Sequence, residues 1–380
     1  MIPATRHARA LLLALLLVVA VGLIGAITMK PRGWLLLRQL FEARDQYTGA
    51  VATRITRLAT DPDTASLSFS PDGSLLAASS PLAPEVWVWD LSKASPAAHT
   101  LRLASGTGLA TMRNVLAFSP DGHWLAVGHG RASQADGYGV LKIWDARTGQ
   151  PVEDLSEPAE GPIRMGLAFS PDGQLLIYTS DRGEHTPGDH LMVLHTGSWQ
   201  FEWGLRTDPF YPHAIAVSGD GKWAAIGGER SEPHMVQRPQ IVIVHLPSHE
   251  VVRTIDAFPA QSEIERLAWN QDGTLLAAAA RPTLEGAELS GAAISTFEVA
   301  TGLRVSKQFT DAPHVNALLY SGDGRYLIEA GPDRAVQIWD AAHLRLLQRI
   351  ALDARAAAIS ADSRLLAIAA GDALTIWQLR

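Results

Sequence analysis

The stretch "AFSPDGHWLAVG" at residues 117–128 sets an apolar pair, a Ser-Pro-Asp-Gly corner and a second apolar run one after another. In the equivalent "FSPDG" at 69–73, Pro71 fixes φ near the value a turn wants at its second position. Asp72 tolerates the next position and can bond nearby amides, and Gly73 accepts positive φ without a Cβ clash. β-formers and aliphatics flank the corner in short runs, so it predicts two antiparallel strands joined by a tight hairpin.

The corner recurs along the chain. It reads "FSPDG" at Phe69, Phe118 and Phe169, "VSGDG" at Val217, "WNQDG" at Trp269, "YSGDG" at Tyr320 and, decayed, "ISADS" at Ile359. The corner aspartates are 72, 121, 172, 220, 272, 323 and 362, in steps of 49, 51, 48, 52, 51 and 39 residues. A period of that size belongs to an array of small supersecondary units. After the hairpin comes a third strand ending in Trp: "VWVWDL" at 86–91, "LKIWDA" at 141–146, "VQIWDA" at 336–341 and "LTIWQL" at 374–379.

These residues resemble the WD40 family. "DARTGQPV" at 145–152 and "EVATGLRV" at 298–305 look like that family's turn into a fourth, outer strand, and Asp333 stands six residues before Trp339, where the family often has a structural Asp. The resemblance covers residues 50–380 and implies an all-β propeller of four-stranded antiparallel blades. The chain departs from the pattern in three copies, where His195-Thr196, His245-Leu246 and Phe297-Glu298 replace Trp-Asp, and no copy has a convincing Gly-His pair. TolB-like propellers also use "SPDG" and are the second resemblance. Solenoid or amyloid-like stacking is the structural alternative.

Ring closure speaks against that alternative. The last copy has room for three strands before Arg380, and "AVATRITRLAT" at 50–60 is a spare β-like segment ahead of the first corner. If 51–59 supplies the outer strand of the last blade, the propeller is 51–380, has seven blades, and leaves its closure without an open edge. Alternating strand directions then put the corners on a bottom face, the connections between second and third strands on top, and the start of 51–59 at the bottom.

Residues 1–9 form a short basic tail and residues 10–29 are 20 residues without a charge, which as a helix span roughly 30 Å. This predicts a transmembrane anchor in the lipid bilayer. A cleaved signal peptide is the competing reading, with Arg6 and Arg9 as its basic region and Ala20-Val21-Gly22 as a passable cleavage site. Residues 30–50 read as a juxtamembrane linker, helical if Trp34, Leu37 and Phe41 share a face. The basic residues Lys30, Arg32, Arg38 and Arg44 after the span outnumber Arg6 and Arg9 before it, which by itself favours a cytoplasmic propeller. The α-amino group, His7 and the absence of cysteine pull the other way, and the expectation is the extracytoplasmic side of a bacterial inner membrane.

Charge and missing motifs narrow the function. The first 50 residues hold six of the 32 basic and two of the 39 acidic residues, leaving 26 against 37 on the propeller, a net of −11. That field disfavours nucleic acid and anionic surfaces. There is no Gly-x-Ser-x-Gly elbow, Walker loop, His-Glu-x-x-His or dinucleotide fingerprint, so no cofactor or catalytic residue is expected. Insertions between the second and third strands of blades 2 to 5 predict a raised rim, with Arg131, Asp136, Tyr138, Arg182, His185, His190, Arg230, His234, Arg238, Arg281 and Glu285 as partner-binding candidates. Asp181, Glu184, His185, Asp189, His190, Glu229 and His234 could ligate a metal, but without a recognised spacing they read as polar loop residues. Arg113, Arg164 and His213 stand at the channel entrance, as an anion-binding set or as salt-bridge donors between blades. The expected function is a membrane-tethered, noncatalytic scaffold for a membrane-associated protein partner. A loop-built ligand sensor or metal-dependent enzyme is the alternative, with a small ligand in place of the protein.

Overall fold

Every corner opens a four-stranded antiparallel sheet, and seven such sheets follow one another along the chain. A computed structural model describes residues 51–81, 83, 85–93, 96–103, 111–131, 140–155, 163–180, 191–206, 210–232, 236–283, 291–310, 312–332 and 335–380. Strand β1 (Ala52–Ala59) precedes the first corner. Blade 1 is β2 (Ser66–Phe69), β3 (Leu75–Ser79), β4 (Glu85–Asp90) and β5 (Ala98–Arg102), and blade 2 is β6 (Thr111–Phe118), β7 (Trp124–Arg131), β8 (Val140–Asp145) and β9 (Pro151–Asp154). Blade 3 is β10 (Ile163–Phe169), β11 (Leu175–Ser180), β12 (Leu191–His195) and β13 (Gln200–Leu205), and blade 4 is β14 (Phe210–Val217), β15 (Trp223–Glu232), β16 (Val236–His245) and β17 (Glu250–Asp256). Blade 5 is β18 (Ser262–Trp269), β19 (Leu275–Pro282), β20 (Ala293–Glu298) and β21 (Arg304–Phe309), and blade 6 is β22 (Ala317–Tyr320), β23 (Tyr326–Ala330), β24 (Val336–Asp340) and β25 (Arg345–Ile350). Blade 7 is β26 (Ala356–Ile359), β27 (Leu365–Ala370) and β28 (Ala373–Leu379), with β1 as its outer strand.

The corners are built by one side chain each. At the first, the Gly73 amide donates to the Ser70 carbonyl at 2.9 Å, while Ser70 Oγ donates to Asp72 Oδ1 at 2.6 Å and accepts from the Leu75 amide at 2.8 Å. Ser119, Ser170, Ser218, Ser321 and Ser360 repeat this arrangement. In blade 5 Asn270 stands in, its Oδ1 accepting from the Leu275 amide at 2.8 Å. Gly73 sits at φ 69°, which explains the Gly in six of the corners, and Ser363 adopts 61° in the decayed seventh.

Apolar burial lies between blades. Each innermost strand contacts the innermost strands of both neighbours, round to β2 against β26, so the ring is closed. Val88, Leu101, Phe118 and Trp144 share the seam of blades 1 and 2; Leu58, Phe69, Leu76 and Leu374 share that of blades 7 and 1. The repeated Trp89, Trp144, Trp339 and Trp377 all pack into seams.

At the closure β1 pairs antiparallel with β28, from Ala52 opposite Leu379 to Ala59 opposite Ala373. Blade 6 pins this pair. The Gln348 side chain accepts from the Ala52 amide at 2.8 Å and donates to its carbonyl at 3.0 Å, and Tyr326 Oη donates to the Arg380 carbonyl at 2.5 Å.

Neighbouring corners touch on one face, where a Cβ on Gly122 would lie 3.6 Å from Pro71 and one on Gly173 would lie 3.7 Å from Pro120. Strand alternation puts the start of β1 on this corner face and the connections between second and third strands on the opposite, rim face. The expected anchor at 10–29, the tail at 1–9 and the linker at 30–50 lie outside the described residues. No helix among the described residues is long and apolar enough to cross a membrane.

Candidate functional site

On the rim face, blade 4 has the longest paired strands among the described residues. Strands β15 and β16 have ten residues each and stay paired from Trp223 opposite His245 out to Glu232 opposite Val236. The second strand of blade 1 has five residues and that of blade 7 has six. At about 3.3 Å per residue the difference raises the blade 4 hairpin by about 13 to 17 Å. The segment 229–240, expected as an inserted loop, is therefore mostly strand. Its neighbour β14 climbs with it, Phe210 standing opposite Arg230 and Tyr211 opposite Glu229. In blade 5, Glu263 on β18 stands opposite Arg281 on β19.

Inside this raised sector a charged group crosses the seam between blades 4 and 5. Buried His213 sits at a bulge in β14, between Pro212 and Ala214. Its Nε2 is 3.5 Å from Glu229 Oε1 and its Nδ1 is 3.9 Å from Glu263 Oε1. Arg281 takes the other side of Glu263, with its NH2 nitrogen 2.6 Å from Oε2, and its Nε is 3.1 Å from Glu265 Oε1. Glu265, 1 % exposed, occupies the corresponding bulge of β18 and reaches blade 6, where its Oε2 accepts from the Val315 amide at 2.7 Å.

The linkage continues around the ring. Arg266 Nε donates to the Asn316 carbonyl at 2.7 Å, Asn316 Nδ2 donates to the Ala354 carbonyl at 3.0 Å, and Arg355 pairs with Asp63 on the approach to blade 1. These contacts clip blades 4, 5, 6, 7 and 1 together near the start of their inner strands. A buried carboxylate held by a guanidinium and a backbone amide is costly to break, so the belt fixes the base of the raised hairpin.

The structure distributes the expected residues as follows. Arg230 and Arg238 are exposed and in register on the blade 4 hairpin. Arg281 is half-buried in the seam network, and His213 is enclosed within it. Arg113 stands at a bulge of β6, Arg164 opposite Thr179 in blade 3, and Arg131 opposite Thr111 in blade 2. Asp136, Tyr138, Arg182, His185, His190, His234 and Glu285 lie outside the described residues, as do Asp181, Glu184, Asp189 and Asp333. Among the described residues no group of His, Cys, Asp and Glu is arranged to hold a metal ion. The carboxylates Glu263 and Glu265 were absent from the sequence candidates, although "SEIERLAW" at 262–269 sets two acids at strand spacing just ahead of a corner.

No family model matches the chain. Among solved structures, a chain of Kuenenia stuttgartiensis hydrazine synthase is similar with a TM-score of 0.65 at 18% identity, covering 84% of this chain and 97% of that one. At this identity the likeness is one of fold. The class that the architecture defines is the seven-bladed β-propeller.

Proposed function

We propose that this chain is a WD40-like propeller that serves as a noncatalytic interaction platform. In this reading it is tethered by residues 10–29 to a bacterial inner membrane, with the propeller on the extracytoplasmic side. It presents the rim of blades 2 to 5 to a membrane-associated protein partner. The observation that carries the reading is the blade 4 hairpin, which projects from the face opposite the one where β1 enters the ring. Tryptophan-terminated third strands packed in the seams and a propeller charge of −11 fit a protein-binding rather than a nucleic-acid-binding module.

The test is photo-crosslinking from position 230 in native membranes, comparing the intact chain with one whose 230–239 segment is cut to a two-residue turn. The expected result is one discrete crosslinked species that the shortened chain does not form, with a thermal midpoint within about 2 °C of the parent. Equal crosslinking by the shortened chain, or none by either, refutes the platform. Reporter fusions at residue 50 read the membrane side, with a periplasm-dependent phosphatase expected to be active.

A further inference from the structure

Exposed apolar side chains are confined to one part of each blade. Among the described residues, every large hydrophobic side chain left to solvent lies on an outer strand or one residue ahead of it, and six of the seven belong to blades 2 to 5. Val152, Phe201 and Val305 are the second residues of β9, β13 and β21, Val252 is the third of β17, and Leu303 immediately precedes β21. Leu303 is 67 % exposed and Phe201 54 %. In blades 2, 4 and 5 a bulge is the cause. Val152, Val252 and Val305 are each the extra residue that the third strand leaves unpaired in the ladder, and a bulge re-aims the side chain it inserts.

These positions share a level. In each of these blades the residue after the third strand bonds to the residue after the corner: the Ala146 amide donates to the His123 carbonyl at 2.9 Å, Thr196 to Gln174 at 2.9 Å, Leu246 to Lys222 at 2.8 Å and Val299 to Thr274 at 3.0 Å. The outer strands therefore begin on the corner face, and at about 3.3 Å per residue their exposed apolar groups lie within about 7 Å of it. Blades 3 to 5 are also joined along this level. His249 of blade 4 stacks on Trp203 of blade 3 with ring centroids 4.2 Å apart, and Arg253 donates to the Ala300 and Thr301 carbonyls of blade 5 at 2.7 and 3.0 Å. The apolar groups form a fixed ledge rather than a set of loose loop tips.

Resting on the tether of the reading above, we propose that this ledge is a bilayer contact: the corner-face edge of blades 2 to 5 sinks into the headgroup layer of zwitterionic lipid and holds the propeller against the membrane. Strand β1, which carries the seventh exposed apolar residue, Ile55, begins on the same face, and ahead of it the chain runs back to the uncharged stretch 10–29. Consecutive blades of a convex ring face different directions. A protein surface of standard size, about 800 Å² a side, covers only part of such an arc, whereas a plane meets every blade at one level. Apolar faces of interfacial elements bury about 5–10 Å into the headgroup boundary, which matches the level of the ledge. The seven corner aspartates on this face disfavour anionic headgroups and suit the outward ammonium groups of phosphatidylethanolamine.

The test uses the full chain in vesicles of phosphatidylethanolamine and phosphatidylcholine. Because the chain has no cysteine, Val252→Cys and Val305→Cys each take a single nitrobenzoxadiazole label, with Arg230→Cys on the rim face as the control. Labels at 252 and 305 are expected to shift to the blue and to lose fluorescence when the lipids carry a spin label near the glycerol backbone, and the label at 230 to do neither. Phe201→Ser/Leu303→Ser is expected to reduce the quenching at 252 without moving the thermal midpoint, since both side chains are exposed. Labels at 252 and 305 that stay aqueous, quenching that is equal at 230, quenching that added phosphatidylglycerol strengthens, or a blue shift that rises with protein concentration, the mark of a second copy on the ledge, overturns the proposal. Alkaline extraction separates this failure from that of the tether: a chain that stays in the vesicles with both labels unquenched keeps its tether and loses only the ledge contact, and a chain that washes out loses both.

Discussion

Single side chains set the corners, and their chemistry gives the fold an acid sensitivity. The Ser70 and Ser74 hydroxyls and the Ser74 amide, all bonded to the Asp72 carboxylate, hold its pKa down from 3.8 to about 2. Hydrogen bonds from Ser170, Thr274 and Ser360 lead the lowering at Asp172, Asp272 and Asp362, and the direction is the same at Asp121, Asp220 and Asp323. A carboxylate with a depressed folded pKa contributes stability that is present above its unfolded value and lost as pH falls through the folded one. Thermal melts are therefore expected to hold steady near neutrality and to fall from about pH 4 toward pH 2. Ser70→Ala leaves the buried Leu75 amide without its side-chain partner and is expected to cost about 1–2 kcal/mol in urea denaturation. Gly227→Ala is expected to cost about 1–3 kcal/mol, because its Cβ would lie 2.6 Å from Ile264 Cγ2 across the seam of blades 4 and 5. The corners were legible in the sequence because Ser, Pro, Asp and Gly act there locally, each through its own backbone geometry. The sequence marked His213 and Glu229 separately, whereas their approach to each other and to Glu263 was not legible, because the two acids belong to other strands and one of them to another blade.

Among the described elements, the blade 4 hairpin is the longest of the repeats. The sequence marks it as an insertion by length alone, yet "AAIGGERSE" and "VQRPQIVIV" carry the pairing on to Glu232 and Val236 because β14 lies alongside as far as Arg230. Gly and Pro within both halves hid that continuity from a propensity reading. The belt under the hairpin depends on Glu265. Glu265→Ala removes the acceptor of the Val315 amide and one carboxylate partner of Arg281, and is expected to cost about 2–4 kcal/mol by urea denaturation. If instead the hairpin stood independently of the belt, hydrogen exchange of residues 224–230 would be unchanged in that variant.

At the scale of the molecule, stability rests on closure. Blade 7 is complete only when β1 pairs with β28, and Gln348 of blade 6 clamps the Ala52 peptide through both of its groups. Gln348→Ala is expected to raise protease cleavage near residues 51–60 while leaving cleavage in blades 2 to 4 unchanged. Removing 51–59 is expected to abolish cooperative unfolding in calorimetry, since it exposes the outer edge of β28 and empties Leu58 from the seam of blades 7 and 1. The spare β-like segment and the three-strand last repeat made this pairing legible in the sequence, whereas the Gln348 clamp was not, because a side-chain amide on an outer strand has no sequence signature.

Arg57 and Asp372, which bond across the closing strands, are 315 residues apart. During synthesis the first strand must therefore wait, unpaired, until nearly the whole chain has left the ribosome. Contacts of such long range slow folding and leave sticky edges exposed while they form. A chain made in this order has emitted the residues of six blades before the last can close, so the closing edge of β1 is among the last parts of the sheet to be covered.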